Sequence, residues 1–306
     1  MTHDDAADRP QPASPEAHGS GAGGARDLPG HIAAALQRAG GAADSAGQSW
    51  EGRDLSGEGN PLHDFDQDDG LADPGFTAAL DRLRRKSGSE EDVVAALATA
   101  RVFVPVVAAL AEGGLGEHGF TEDKEADMAL VTIKAPDGRS ALPIFTSVAA
   151  LQGWHPEARP VAVYAPRAAL SAVQEDSQLL VVDPGAETTF VVRRPAMWAL
   201  AQQRPWTPSY RDESLVELLR ELSVGEPIVR RLALSAGSGV ACRDRAGGVV
   251  PGGGHGPELR LTITFARETD PAQAQAAVGR LQKTLSTTKE FAEAVDSLEM
   301  RLASEA

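Results

Sequence analysis

Gly19-Ser20-Gly21-Ala22-Gly23-Gly24 has the letters of a dinucleotide-binding turn, in which glycines let a pyrophosphate reach a helix N-terminus. That chemistry needs a strand before the turn and a helix after it. Neither pattern flanks Gly19, so the match carries no nucleotide. Asp64-Phe65-Asp66-Gln67-Asp68-Asp69-Gly70 begins like a calcium loop, which requires Gly at its sixth position and Glu at its twelfth. Asp69 and Gly75 stand there instead, and a solvated acidic linker accounts for the run. Gly247 to Gly256 is rich enough in glycine to wrap a phosphate, but it lacks the Lys-Ser/Thr that closes a phosphate loop and leads into a strand. It reads as a flexible hairpin connection.

Nucleophiles and metal ligands are sparse. Cys242 is the only cysteine, with no CxxC partner, and reads as a small packing residue. Of the seven histidines, His118, His155 and His255 fall in the folded part, far apart and without a ligand pair. His155 is placed to cover a helix C-terminus. No Gly-x-Ser-x-Gly elbow occurs. These spacings imply no catalytic residue, no metal and no cofactor. The stretch from Arg193 to Arg211 is different: Arg193, Arg194, Arg204 and Arg211 occur with Trp198, Trp206 and Tyr210 and without an acidic residue. Arg and Trp are enriched where proteins grip partners. Arg193, Arg194, Trp198, Arg204, Trp206 and Tyr210 are therefore the candidate binding residues, against the plainer reading of an inward Trp198 and solvated arginines.

Composition narrows the partner. Residues 1–75 hold 14 Asp/Glu against 4 Lys/Arg, a net of −10, while the other 231 residues carry 30 against 25. Acidity repels phosphate, so no nucleic-acid partner is expected; a protein partner is, or the acidic arm itself lying over the Arg/Trp stretch. A lone cysteine suits a reducing compartment. The start Met1-Thr2-His3-Asp4-Asp5 lacks a signal-peptide pattern, and the apolar run Val102–Leu110 is shorter than the ~20 residues a bilayer requires. A cytoplasmic location and no membrane role are expected.

The elements that must position these residues follow from periodicity. Residues 1–73 are poor in large apolar side chains and read as a disordered acidic arm. Asp73-Pro74 starts a helix with Phe76, Ala79, Leu80 and Leu83 on one face, and Ser89 with Asp92 caps a second. Arg101–Val107 reads as a strand in which Pro105 suggests an edge or bulge. Met128–Lys134 and Ala141–Phe145 should form a hairpin across Pro136-Asp137-Gly138-Arg139. Thr146 or Ser147 then caps a short helix. Strands at 161–164, 179–182 and 188–192 alternate with helices at 166–173 and 195–202. After the Pro-rich 206–211 linker, Ser214 and Glu217 resemble a capping box. Strands at 228–235 and 258–266, a long helix from Asp270-Pro271 and a strand from Ser297 close the chain. The fold class is α+β, with domains at 75–205 and 212–304.

The order Phe145-Thr146-Ser147, short helix, Trp154, strand, helix, Leu180-Val181-Val182-Asp183-Pro184-Gly185 resembles the N-terminal domain of the SseB-like (enhanced serine sensitivity) bacterial family. Asp183 stands where that pattern more often has Asn. The region 225–302 is similar to the C-terminal domain of some members. The resemblance implies an α+β cytoplasmic protein without established catalytic residues: a non-enzymatic binding or regulatory protein, linked to amino-acid stress. Its rivals are an enzyme whose site is assembled from distant residues and a secretion-associated accessory protein.

Overall fold

The computed structural model describes residues 65, 67–109 and 127–305. The arm and its dinucleotide-like turn therefore lie largely outside the described residues. The last part of the predicted arm, 67–73, is tied to the body. Arg101, itself largely buried, donates to Asp68 at 2.6 Å and to the carbonyls of Leu71 and Thr146. Val148 N–H donates to Gly70 O.

Asp73 accepts from Phe76 N–H at 2.8 Å and caps α1 (Pro74–Arg84). Ser89 and Asp92 exchange side-chain-to-backbone bonds at the head of α2 (Glu90–Leu97), a reciprocal capping box. β1 (Arg101–Ala109) then runs between β2 (Asp127–Leu130) and β5 (Arg159–Tyr164), antiparallel to both. Pro105 is thus in a central strand, not at an edge. It sits opposite Pro160, at a position of the same parity as Phe103↔Ala162. Phe103 bonds to Phe145 on its other side, so positions of this parity face away from β5 and the two prolines cost that ladder no bond. On the side Pro105 does face, its carbonyl accepts from Val131 N–H just beyond the β2 register, which begins at Val106.

The predicted hairpin is split. Met128 pairs with β1, and only β3 (Ile133–Lys134) pairs with β4 (Ser140–Ile144) across the Gly138 turn. β4 lies parallel to β6 (Leu179–Val182), which is antiparallel to β7 (Phe190–Val192). α3 (Val148–Trp154), capped by Ser147, and α4 (Ala165–Gln174) fill the crossover. His155 is the C-cap of α3, as its position implied. α5 (Arg194–Ala201) follows. In α6 (Glu213–Ser223) the cap is Asp212 and not Ser214, whose N–H and hydroxyl both donate to Asp212.

The second core is a sheet ordered β12-β11-β8 under α7 (Pro271–Thr287) and α8 (Lys289–Ala294). β8 (Val229–Ala236) is antiparallel to β11 (Leu259–Phe265), and β12 (Leu298–Ser304) is parallel to it. Alternate residues Leu259, Leu261, Ile263 and Phe265 are buried against Leu281 and Leu285. The glycine-rich run is no flexible connection. It forms the hairpin β9 (Ala241–Arg243) and β10 (Val249–Gly253), and Val250 and Cys242 pack into the first core beside Phe76 and Leu83. The fold class is α+β. Among the described residues no helix is long and apolar enough to cross a membrane.

Candidate functional site

The arginine- and tryptophan-rich stretch folds into a seam between the two cores. Arg193, the N-cap of α5, is only 2% exposed; its guanidinium donates to Gly256 O at 2.6 Å and Gly239 O at 2.7 Å. Asp296 lies 3.6 Å from it and also accepts from Arg139 at 2.8 Å. Arg194 donates to the carbonyls of Ala292 and Val295, where a cation meets the negative end of α8. Tyr210 OH donates to Glu90 at 2.9 Å, and Gly253 N–H donates to the other carboxylate oxygen at 2.8 Å. Glu258, also buried, accepts from the backbone N–H groups of Ser209 and Asp296. Arg211 pairs with Glu91.

Three of the six candidate residues are thereby committed inward: Arg193, Arg194 and Tyr210. Arg204 is exposed, and Trp198 is 45% exposed on the outer side of α5. Trp206 is half-buried against the first core, its indole N–H enclosed without an acceptor among the described residues. Glu90, Arg139, Glu258 and Asp296, which complete the seam, carried no local sequence signal. Their partners across the seam lie between 38 and 163 residues away in the chain.

Beside the seam runs a groove of about 650 Å³, lined by Pro195, Pro205, Trp206 and Thr207 on one side and Glu290 and Glu293 on the other. Arg211, Asp212 and Glu213 close its end. Asp212 is held as the α6 cap, while Glu213, Glu290 and Glu293 are exposed, so the rim is acidic. A second crevice, of about 530 Å³, brings His255, Asp296 and Ser297 to one surface. Its serine and aspartate are already engaged: Ser297 Oγ accepts from Glu258 N–H, and Asp296 holds Arg139.

Burial shifts the titration of Glu90 upward, above the usual carboxylate range, against the opposing pull of Gly253 N–H and Tyr210 OH. Burial and the adjacent Glu90 likewise raise Tyr210. The unfolded chain titrates normally, so the fold favours neutral Glu90. The stability this lends is complete in acid, below the ordinary carboxylate range, and is lost as pH rises through the displaced titration. Glu90→Gln removes that dependence. Its stability relative to the parent should rise as pH climbs from below the ordinary carboxylate range through the raised Glu90 titration, as read by urea unfolding; a constant difference would place Glu90 in a normal titration range.

At the carboxyl ends of the parallel strands β4 and β6, Asp183 accepts from Thr146 N–H at 2.8 Å and from its hydroxyl at 2.6 Å. Asp183 has φ of 49°, a left-handed conformation that Asn and Asp tolerate best among side-chain-bearing residues. Burial raises its carboxyl titration, with the Thr146 bonds opposing. Asp183→Asn keeps both the backbone preference and a carbonyl acceptor, and should change stability by less than about 1 kcal/mol. Asp183→Ala should cost about 2–4 kcal/mol, because it strands two donors on a backbone that alanine resists. Chemical unfolding of the pair checks this; equal losses would mean that the side chain's acceptors do not matter. Cys242 is half-buried and burial raises its thiol titration, which favours the unreactive protonated form.

These elements define an α+β protein whose parallel β4–β6 pair ends in a Thr146–Asp183 latch and whose two cores meet across a polar seam. Residues 76–199 match the family model described as the SseB protein N-terminal domain. Over that stretch the chain is similar to that domain, and the latch and its flanking framework lie within it. No curated protein matches the chain.

Proposed function

We propose that the chain is a non-enzymatic binding protein of the cytoplasm, acting in the amino-acid stress response that the SseB resemblance suggests, and that it holds a basic, extended protein segment in the Trp206 groove. The acidic-rimmed groove carries this reading. Pro195, Pro205 and Trp206 offer rigid apolar surface that loses little side-chain entropy on contact. Glu213, Glu290 and Glu293 offer negative charge. Among the described residues the cation lining the groove, Arg211, is paired with Glu91, and Glu293 shares an exposed pair with Lys289. Arg193 and Arg194, which the sequence offered to an acidic partner, are spent on internal carbonyls. That favours a cationic ligand over an acidic one. The inward-facing, donor-satisfied Glu90 and Asp183 favour binding over catalysis.

A display library of short random peptides, selected on the full chain, tests the proposal. Enriched sequences should carry Arg or Lys with Pro or an aromatic residue. Trp206→Ala, or Glu290→Lys with Glu293→Lys, should weaken the selected peptides by about tenfold or more, since interface anchors are worth about 1–3 kcal/mol each. Enrichment of acidic peptides, or affinity indifferent to both variants, overturns the assignment.

A further inference from the structure

The third strand of the second sheet ends the sheet without a neighbour. In the order β12-β11-β8, β12 is a seven-residue edge whose pairing with β11 runs from Leu298 to Ser304 without a bulge or proline. Natural edges are commonly short, kinked or covered, because an open ladder recruits another strand. Among the described residues no strand lies beyond β12.

Which backbone groups are free follows from the ladder. Leu259 N–H donates to Ser297 O, and Glu305 N–H donates to Phe265 O. In a parallel ladder the residues of one parity bond inward. Ser297, Glu299, Arg301, Ala303 and Glu305 therefore face β11, and Leu298, Met300, Leu302 and Ser304 turn their amides and carbonyls to the open edge. The side chains alternate too. Leu298, Met300 and Leu302 lie on the face covered by α7, in register with the buried Leu259, Leu261 and Ile263, while Glu299 and Arg301 lie on the opposite face. Leu302 is 54% exposed, beside a groove of about 550 Å³ lined by Phe265, Pro271, Ala274 and Val278.

We infer that β12 pairs with β12 of a second copy of this chain, antiparallel and centred on Met300, to give a continuous six-stranded sheet. The occupant and the register both follow from charge. Centred on Met300, Glu299 falls opposite Arg301 of the second copy, in the non-hydrogen-bonded positions where side chains come closest. Leu298 falls opposite Leu302, closing apolar surface over the groove. Centring on Glu299 sets like carboxylates face to face; centring on Arg301 sets like guanidiniums face to face. Centring on Leu302 places Glu299 against Glu305. Only the Met300 register turns every directly opposed charge into an attraction. Arg301 is exposed and holds no ion pair among the described residues, whereas Glu299 accepts from Arg260 and from Ser238 within its own chain.

Sedimentation equilibrium of the full 306-residue chain should give twice its 32.0 kDa mass at tens of micromolar, a modest affinity for so short a ladder. Arg301→Glu places carboxylates opposite Glu299 at both symmetric positions and should weaken self-association by about tenfold or more. Met300→Pro removes an outward N–H together with the Met300 side chain's packing on the second core, so the monomer should stay folded with a somewhat lower melting temperature and should lose the dimer. Mixing the Arg301→Glu chain with a Glu299→Arg chain restores both opposed pairs and should give a heterodimer that neither chain forms alone. A full chain that stays monomeric overturns the inference, as does a dimer unmoved by both Met300→Pro and Arg301→Glu. If Glu299→Arg fails to fold, those two variants still decide.

Discussion

Gly253→Ala is expected to cost about 2–4 kcal/mol and to lower the melting temperature of the chain by roughly 10 °C. Two effects add. Gly253 has φ of 69°, a conformation that costs alanine about 1 kcal/mol. A Cβ at that position would also penetrate the ring of Phe190 at Cδ2. Phe190 is 1% exposed within the first core and has no room to withdraw, so the added methyl is overpacking. Gly247 supplies the control. Its φ is 86°, but a Cβ there meets nothing within 4 Å, so Gly247→Ala should cost only the conformational term, about 1 kcal/mol. Both are read by urea unfolding monitored through the tryptophans. Equal effects would show that β10 does not bear on the core and that the glycine run is a loop after all.

That contrast also locates what sequence could and could not convey. Local devices were legible because their causes are local. Asp73-Pro74 and the Ser89–Asp92 box satisfy helix N-termini within a few residues, and both caps form as their spacing implies. The framework Phe145-Thr146-Ser147 to Asp183-Pro184-Gly185 was legible as a resemblance, and 76–199 match that family's domain. Pro105 misled because its tolerance depends on which neighbour its missing N–H faces: it points away from β5, to a side where the β2 register begins only at Val106. The glycine run misled for a related reason. Flexibility and close packing both call for glycine, and only the approach of Phe190 and Glu90 distinguishes them. The arginine stretch was legible in composition but not in direction. Its guanidiniums turn inward because Gly239, Gly256, Ala292 and Val295 present carbonyls from up to 101 residues away.

Arg193→Ala should therefore act as a core substitution and not as a surface one, with a loss of about 3–5 kcal/mol. Removing the guanidinium strands the Gly256 and Gly239 carbonyls and withdraws one of the two cations facing Asp296, whose side chain is 1% exposed. Arg193→Lys keeps the charge but cannot span both carbonyls from a single ammonium, and should lose about 1–3 kcal/mol. Arg139 still holds Asp296 at 2.8 Å, which sets the ceiling on the damage. Because the group is shielded from solvent, the penalty should change little between low and high salt, unlike that of an exposed pair. Urea unfolding of the parent, both variants and an Arg193→Ala/Asp296→Ala double variant separates the terms. The double variant should lose less than the sum of the two single variants, by about 1–3 kcal/mol, as expected for groups in one network. A loss below about 1 kcal/mol in Arg193→Ala, fading with added salt, would instead mean that the side chain leaves the seam in solution and stands free at the surface, where an acidic partner could reach it.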